Sequence, residues 1–351
     1  MKYEVNVYSI SLIILLTFLV SFLLLFPVRK FAKYIGAIDY PNEERRIHKK
    51  PTPRMGSIAI FLSFLLGYMI FGKPSTQMIS ILIGSFLLVM CGLFDDIKPI
   101  PNKYKFIIQL ISANVAVFYG GFVLKDLSAF GLYVNFGIFA EFVTLFFIMG
   151  CINCINLIDG MDGLSAGICS IFFLTIGIIG AIRHKLGGLD VVLAFSALGA
   201  TLGYLKHNFH PAKIFMGDGG SMFLGFIISI ISLLGYKNVT FSSFIVPLSL
   251  LAIPIIDTLL AIIRRALKGQ NPLGTPDKEH LHFQILKASK SVGKTVLIIY
   301  IVDLMFAAIS IFYVLGDNKI AIAIYCVLMI LLLILINKTN ILYDHKEKKG
   351  K

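Results

Sequence analysis

The chain has 351 residues, 57% of them hydrophobic and only 15% charged, with a mean hydropathy of +0.86. A soluble domain carries about 25% charged residues, so the composition excludes an ordinary water-soluble enzyme and points to a chain embedded in lipid. The formal net charge is +13, but the basic residues are spread between apolar stretches rather than gathered in one patch, which argues against a nucleic-acid partner.

Eleven apolar stretches are long enough to cross a bilayer, at roughly 20 residues each. They fall at about 8–28, 56–72, 76–94, 104–120, 134–152, 163–182, 188–205, 220–235, 241–263, 295–315 and 319–337. The stretches 56–72, 104–120 and 220–235 are the shortest and are candidates for tilted, broken or partly re-entrant segments. The first is followed by Arg29, Lys30 and Lys33, the reverse of a cleavable signal peptide, where the charge comes first. The polar segment after it holds Lys49, Thr52 and Arg54.

The third stretch ends on Asp95–Asp96, and Lys98, Lys103 and Lys105 follow. After the fifth comes Asn153-x-x-Asn156-x-x-Asp159-Gly160-x-Asp162-Gly163, and the eighth opens with Phe215-Met216-Gly217-Asp218-Gly219-Gly220-Ser221. Cys151 and Cys154 form a CxxC with no second pair, so packing is favoured over zinc. The ninth stretch contains Pro247 and Pro254, which invite a local break, and Asp257. That acid reads either as an ion pair with Arg264 or Arg265, or as part of a site.

Over 272–286, Thr275 can cap a helix with Pro276 at its first position. Leu281, Ile285 and Leu286 then make a short apolar stripe at the membrane surface. His280 and His282 would point apart on a helix but share a face in an extended segment, and the extended form is expected. Glu141 and Asp303 lie deeper in their stretches and read as structural pairs.

With the N-terminus outside, the segments 29–55, 95–105, 153–162, 206–219, 264–294 and 338–351 are cytosolic and hold 25 of the 32 Lys and Arg residues. That asymmetry follows the positive-inside rule. The expected fold is an all-α polytopic membrane protein with about 11 transmembrane helices, N-terminus outside and C-terminus cytosolic. It is read as one integral-membrane domain over residues 1–351 with a basic tail.

The acidic residues concentrate at the cytosolic helix ends. Carboxylates gathered there repel one another unless a hard cation or basic side chains hold them together. Mg²⁺ takes one or two carboxylates and completes its shell with substrate phosphates, and Arg54, Lys98, Lys103, Lys105 and His280 suit phosphate. The start of the eighth stretch offers free helix N–H groups to an anion.

Five segments stand in a recognisable order: Arg46 to Gly56, Phe94-Asp95-Asp96, Asn153 to Gly163, Phe215 to Ser221, and His280-Leu281-His282. In order and spacing they resemble the polyprenyl-phosphate N-acetylhexosamine-1-phosphate transferases over nearly the whole chain. Pro-Thr-Pro-Arg and His-x-His resemble the UDP-N-acetylglucosamine branch; within that branch the chain as a whole most resembles the bacterial enzymes that begin wall teichoic acid synthesis. Ser57, where the family often has a second glycine, is a departure read as a packing change.

The resemblance implies a multi-pass transferase of the bacterial cytoplasmic membrane. It would move N-acetylglucosamine-1-phosphate from UDP-N-acetylglucosamine to undecaprenyl phosphate, with Mg²⁺ as cofactor and Mn²⁺ as a substitute. It implies Asp218, and Asp162 with it, as metal ligands, and Asp95 and Asp96 beside the lipid phosphate. Asn153, Asn156, Asp159 and Gly160 would hold the nucleotide and Phe215 would stack on uracil. Lys49, Thr52, Arg54 and Lys105 would bind substrate, and His280 and His282 the diphosphate or sugar. A homodimer is compatible with this reading. A cation-coupled transporter is the rival class, but its acids would sit near the bilayer midplane.

Overall fold

The computed structural model describes residues 7–41, 48, 50–129, 132–183, 186–237, 244–267, 269 and 280–338. Within them the chain is mostly helical, in the order α1 (Val7–Tyr34), β1 (Ile38–Asp39), β2 (Thr52–Pro53), α2 (Gly56–Phe71), α3 (Thr76–Ile97) and α4 (Asn102–Asn114). There follow β3 (Asp126–Ala129), β4 (Leu132–Asn135), α5 (Ala140–Ile158), α6 (Leu164–Ile182), α7 (Leu189–Asn208) and α8 (Gly217–Lys237). The last elements are α9 (Ile245–Leu250), α10 (Ala252–Leu267), α11 (Leu281–Ser289), α12 (Val292–Leu315) and α13 (Asn318–Lys338).

Among the described residues eight helices are long and apolar enough to span a membrane, so the chain is a multi-pass membrane protein. Three of the eleven expected stretches take other forms. The stretch at 56–72 is the 16-residue α2, about 24 Å long at 1.5 Å per residue. The stretch at 104–120 is the 13-residue α4, which runs into a π-turn at Val115–Tyr119. The stretch at 241–263 is broken at Leu251 between α9 and α10, with Pro247 and Pro254 on either side, as the prolines led one to expect. The stretch at 220–235, by contrast, is the full-length α8.

α8 is apolar on every side and is the central column, packed against α2, α3, α5, α6 and α7. A helix hydrophobic all round belongs in the interior. α1 and α13 keep one side open, with Leu15, Leu19, Leu23, Ile330 and Leu331 exposed, as lipid contact allows. Between helices lipid supplies no hydrophobic drive, so close backbone approach through small residues does the work. Gly199 and Gly203 of α7 let α1 approach: a Cβ there would sit 2.4 Å from Ile14 O and from Phe18 O, respectively. Several buried hydroxyls bond within their own helices, Thr17 on Ile13 O, Thr201 on Ala197 O and Ser232 on Ile228 O, the local partner a side chain finds where water is scarce.

The loop between α4 and α5 holds an antiparallel hairpin, with Asp126 facing Asn135 and Ala129 facing Leu132. Tyr236, at the C-terminal end of α8, donates to Asp126 (3.1 Å) and accepts from Ser128 N–H (3.0 Å). The hairpin therefore marks one end of the bundle and Asp218 the other, about 27 Å apart along α8 by the helical rise. Asp303, expected to be paired, is fully buried in α12, and neither of its carboxylate oxygens has a hydrogen-bond partner. Cys151 and Cys154 are free.

Candidate active site

The close approach of α3 to the start of α8 brings the first two acidic motifs together. A Cβ on Gly92 would lie 1.9 Å from Gly219 N, so only glycine lets the helices meet one turn before Asp95 and Asp96. Gly217 is required for two reasons. Its φ is +72°, a left-handed conformation, and a Cβ there would fall 2.1 Å from Asp96 Oδ2.

Lys105, one turn into α4, reaches into this junction. Its Nζ lies 2.8 Å from Asp95 Oδ2 and donates to Asp218 Oδ2 at 2.6 Å. Asp95 Oδ1 accepts from Ile100 N–H at 2.7 Å, which closes the turn after α3. Asp96 is buried and neither of its carboxylate oxygens accepts a hydrogen bond; Arg54 Nη1 stands 3.7 Å from it. Arg54 also faces Asp39 of β1 at 3.6 Å, and His48 approaches the same carboxylate at 3.7 Å. Backbone bonds tie this strand to the α8 loop: Phe215 N to Pro53 O, Gly56 N to Phe215 O and Ser57 N to Met216 O, at 2.9, 2.9 and 3.0 Å. Asp39 had no sequence signal; its partners come from a strand pairing.

The other predicted residues ring this centre. Thr52 lies in β2 with its hydroxyl on Lys50 O (3.0 Å), and Lys49 falls outside the described residues. Asn153 donates to Gln109 (2.9 Å), and Asn156 donates to Ser221 (2.8 Å) one turn along α8 from Asp218. Asp159 is half-buried and accepts from the Ser165 hydroxyl. Burial raises its carboxyl to about 7, against the lowering effect of that bond. Phe215 lies edge-on to His48, ring centres 5.1 Å apart.

Asp162 faces elsewhere. Its Oδ2 meets His210 Nδ1 at 2.8 Å and accepts from Ala212 N–H at 3.0 Å, so it braces the turn after α7, a role for His210 that sequence did not assign. His280 and His282 stand at the start of α11, both buried. His280 is extended and His282 lies in the first helical turn, yet the rings share a face, 5.5 Å apart and within 10° of parallel. Their common neighbour is Asp257 rather than Gly-rich loop or lysine. His282 Nε2 looks toward Gly160, where a Cβ would approach it to 2.7 Å.

Among the described residues no group of three or more His, Cys, Asp or Glu side chains makes a preformed metal cage. The donors present are nevertheless of the kind Mg²⁺ accepts: hard carboxylate oxygens, those of Asp96 without hydrogen bonds, beside Asp218 at a helix start. Mg²⁺ is seldom caged by protein alone and is completed by phosphate and water. The arrangement can therefore gather anions at one face: two basic side chains, a helix N-terminus and a carboxylate set fit for a hard cation.

Residues 78–236 match the model of glycosyl transferase family 4. A Bacillus subtilis (strain 168) protein named probable undecaprenyl-phosphate N-acetylglucosaminyl 1-phosphate transferase is 39% identical, over 80% of this chain and 78% of its own. Mycolicibacterium smegmatis decaprenyl-phosphate N-acetylglucosaminephosphotransferase is 32% identical, over 78% and 74%. Escherichia coli (strain K12) undecaprenyl-phosphate alpha-N-acetylglucosaminyl 1-phosphate transferase is 30% identical, over 87% and 84%.

Proposed function

Since this chain belongs to glycosyl transferase family 4, among its polyprenyl-phosphate N-acetylglucosamine-1-phosphate transferases, we propose that it transfers N-acetylglucosamine-1-phosphate from UDP-N-acetylglucosamine to undecaprenyl phosphate. A lipid phosphate oxygen attacks the β-phosphorus, the bond from that phosphorus to the bridging oxygen breaks, and UMP leaves with that oxygen. The product is an undecaprenyl diphosphate sugar. One phosphoanhydride replaces another, so the reaction is nearly balanced. The observation that carries the site assignment is Lys105 held between Asp95 and Asp218 beside a buried Asp96 that faces Arg54.

The obstacle is charge, since two anions must meet. Arg54 and Lys105 offer cationic donors to the phosphates, and the start of α8 adds backbone N–H groups. Asp95 steers Lys105 toward the lipid phosphate. A phosphate monoester has a second pKa near 6, so the nucleophile is mostly a dianion at neutral pH and a strong base is not required. Asn156, Asp159 and Phe215 line the side where the nucleotide would rest. Asp218, with Asp96 close by, would hold Mg²⁺, which when bound lowers the repulsion between the phosphates. Asp162 is better suited to bracing the loop than to a shared metal, given its bonds to His210 and Ala212.

The N-terminus outside, with the site facing the cytosol of the bacterial plasma membrane, is supported by the charge asymmetry of the loops. The product lipid would start a cell-envelope polymer, wall teichoic acid by the resemblance of the chain as a whole and its likeness to the Bacillus subtilis protein. The test is UMP release by detergent-purified protein given undecaprenyl phosphate and Mg²⁺. Release with UDP-N-acetylglucosamine that needs both lipid and metal is expected. Release only with UDP-N-acetylmuramoyl-pentapeptide would move the donor to the muramoyl branch.

A further inference from the structure

From sequence Asp257 reads either as the partner of Arg264 or Arg265, two turns on, or as part of a site. In the fold its carboxylate is 2% exposed and turns to α11. Oδ1 accepts the Leu281 backbone N–H at 2.7 Å, Oδ2 lies 3.1 Å from His280 Nδ1, and the same Oδ2 lies 3.5 Å from His282 Nδ1. One carboxylate thus fixes the backbone between two histidines and faces the same ring atom on both. The contact with His280 is a hydrogen bond and that with His282 a charge contact.

An ionised carboxylate only accepts. The nitrogen it faces on His280 therefore carries the hydrogen, and Nε2 is left free. His282 is buried and neither ring nitrogen has a hydrogen-bond partner: Nδ1 has only its 3.5 Å contact with Asp257, and Nε2, on the far side of the ring, lies against Gly160 of the Asp159–Asp162 loop. A buried polar atom without a partner is costly, so its partner is expected from a ligand. We infer that Asp257 is a positioning residue for the sugar-diphosphate donor, holding His280 and His282 with Nδ1 on its carboxylate and Nε2 turned to the donor beside Gly160. The inference rests on the transfer reaction given above for the identity of the donor, but the clamp itself does not.

The test pairs a spectroscopic readout with kinetics. In ¹⁵N-histidine-labelled protein, above the imidazole titration range, the His280 signal is expected to be the Nδ1–H tautomer. Asp257→Asn, whose amide can donate to Nδ1, is expected to shift it to Nε2–H. The same variant should lower kcat/KM for UDP-N-acetylglucosamine by roughly 10- to 100-fold, on the scale seen when the carboxylate that orients a metal-bound histidine is removed. KM for undecaprenyl phosphate should stay unchanged, and Asp257→Asn should add nothing in a His280→Gln, His282→Gln background.

An Nε2–H tautomer at His280 in the unsubstituted chain would overturn the proposal, as would a loss that multiplies with that of the histidine variants. If Asp257→Asn fails to fold, the tautomer of the unsubstituted chain decides alone. Should that chain release no UMP, the transfer reading falls while the tautomer still decides on the clamp.

Discussion

Lys105 lies 113 residues from Asp218 and joins it to Asp95 in a single contact network. The sequence marked each of these residues separately, because acids at helix ends stand out in an apolar chain. It did not reveal that one ammonium serves two of them, which depends on how α3, α4 and α8 pack. Asp257 was harder to read: its partner His280 lies 23 residues away, while two arginines lie nearer along the chain. Removal of the divalent cation by a chelator should abolish UMP release, and Mn²⁺ should restore it. Asp218→Asn should weaken Mn²⁺ binding, measured by paramagnetic resonance without substrates, and lower kcat by roughly 100-fold or more, the scale of losing one electrostatic partner of the reacting phosphates. Asp159 gives a pH test. Its folded pKa of about 7 is raised by burial, so the folded chain keeps a proton that the unfolded chain releases near 3.9. The stability this group contributes is full below the lower value and is lost as pH rises through about 7. Asp159→Asn stays neutral, so its thermal midpoint should decline less than that of the unsubstituted chain over that window.

At the scale of elements, hydropathy measures how long a stretch stays apolar and says little about whether its helix is continuous. That is why the eleven stretches, the proline-marked break in the ninth and the shortness of 56–72 were legible, while the position of the break at Leu251 and the ends of α2 were set only by the fold. The hairpin between α4 and α5 was missed because its strands are four residues each and β4 is exposed along its length, too short for a period-2 pattern. The α3–α8 contact is the element-scale determinant of the site, and its tightest point is Gly92 against Gly219. Gly92→Ala puts a methyl group against the Gly219 backbone. Overpacking of this kind costs about 1–3 kcal/mol, and here it also parts Asp96 from Asp218. The variant should lose at least about 10-fold in UMP release and unfold at lower temperature. Gly150→Ala, with nothing within 4 Å of the added Cβ, should change neither.

On the scale of the whole molecule, the acids, Lys105, Arg54 and both histidines belong to one end of the bundle, and the hairpin bound to Tyr236 belongs to the other. Such one-sided placement suits an enzyme that meets a water-soluble nucleotide sugar and a membrane-bound phosphate at the same surface. It also argues against a midplane transport site. Orientation can be read by thiol labelling in a background with Cys326 replaced. Asn102→Cys should react with a membrane-impermeant reagent in inside-out vesicles only, and Tyr133→Cys in right-side-out vesicles only. The opposite pattern would invert the topology. The central claim is that the phosphorus next to the sugar travels with it. With UDP-N-acetylglucosamine labelled by ³²P at the β-phosphorus, undecaprenyl phosphate and Mg²⁺, the account predicts label in the lipid product and unlabelled UMP. Label left in UDP, with a sugar on a lipid monophosphate, would contradict it.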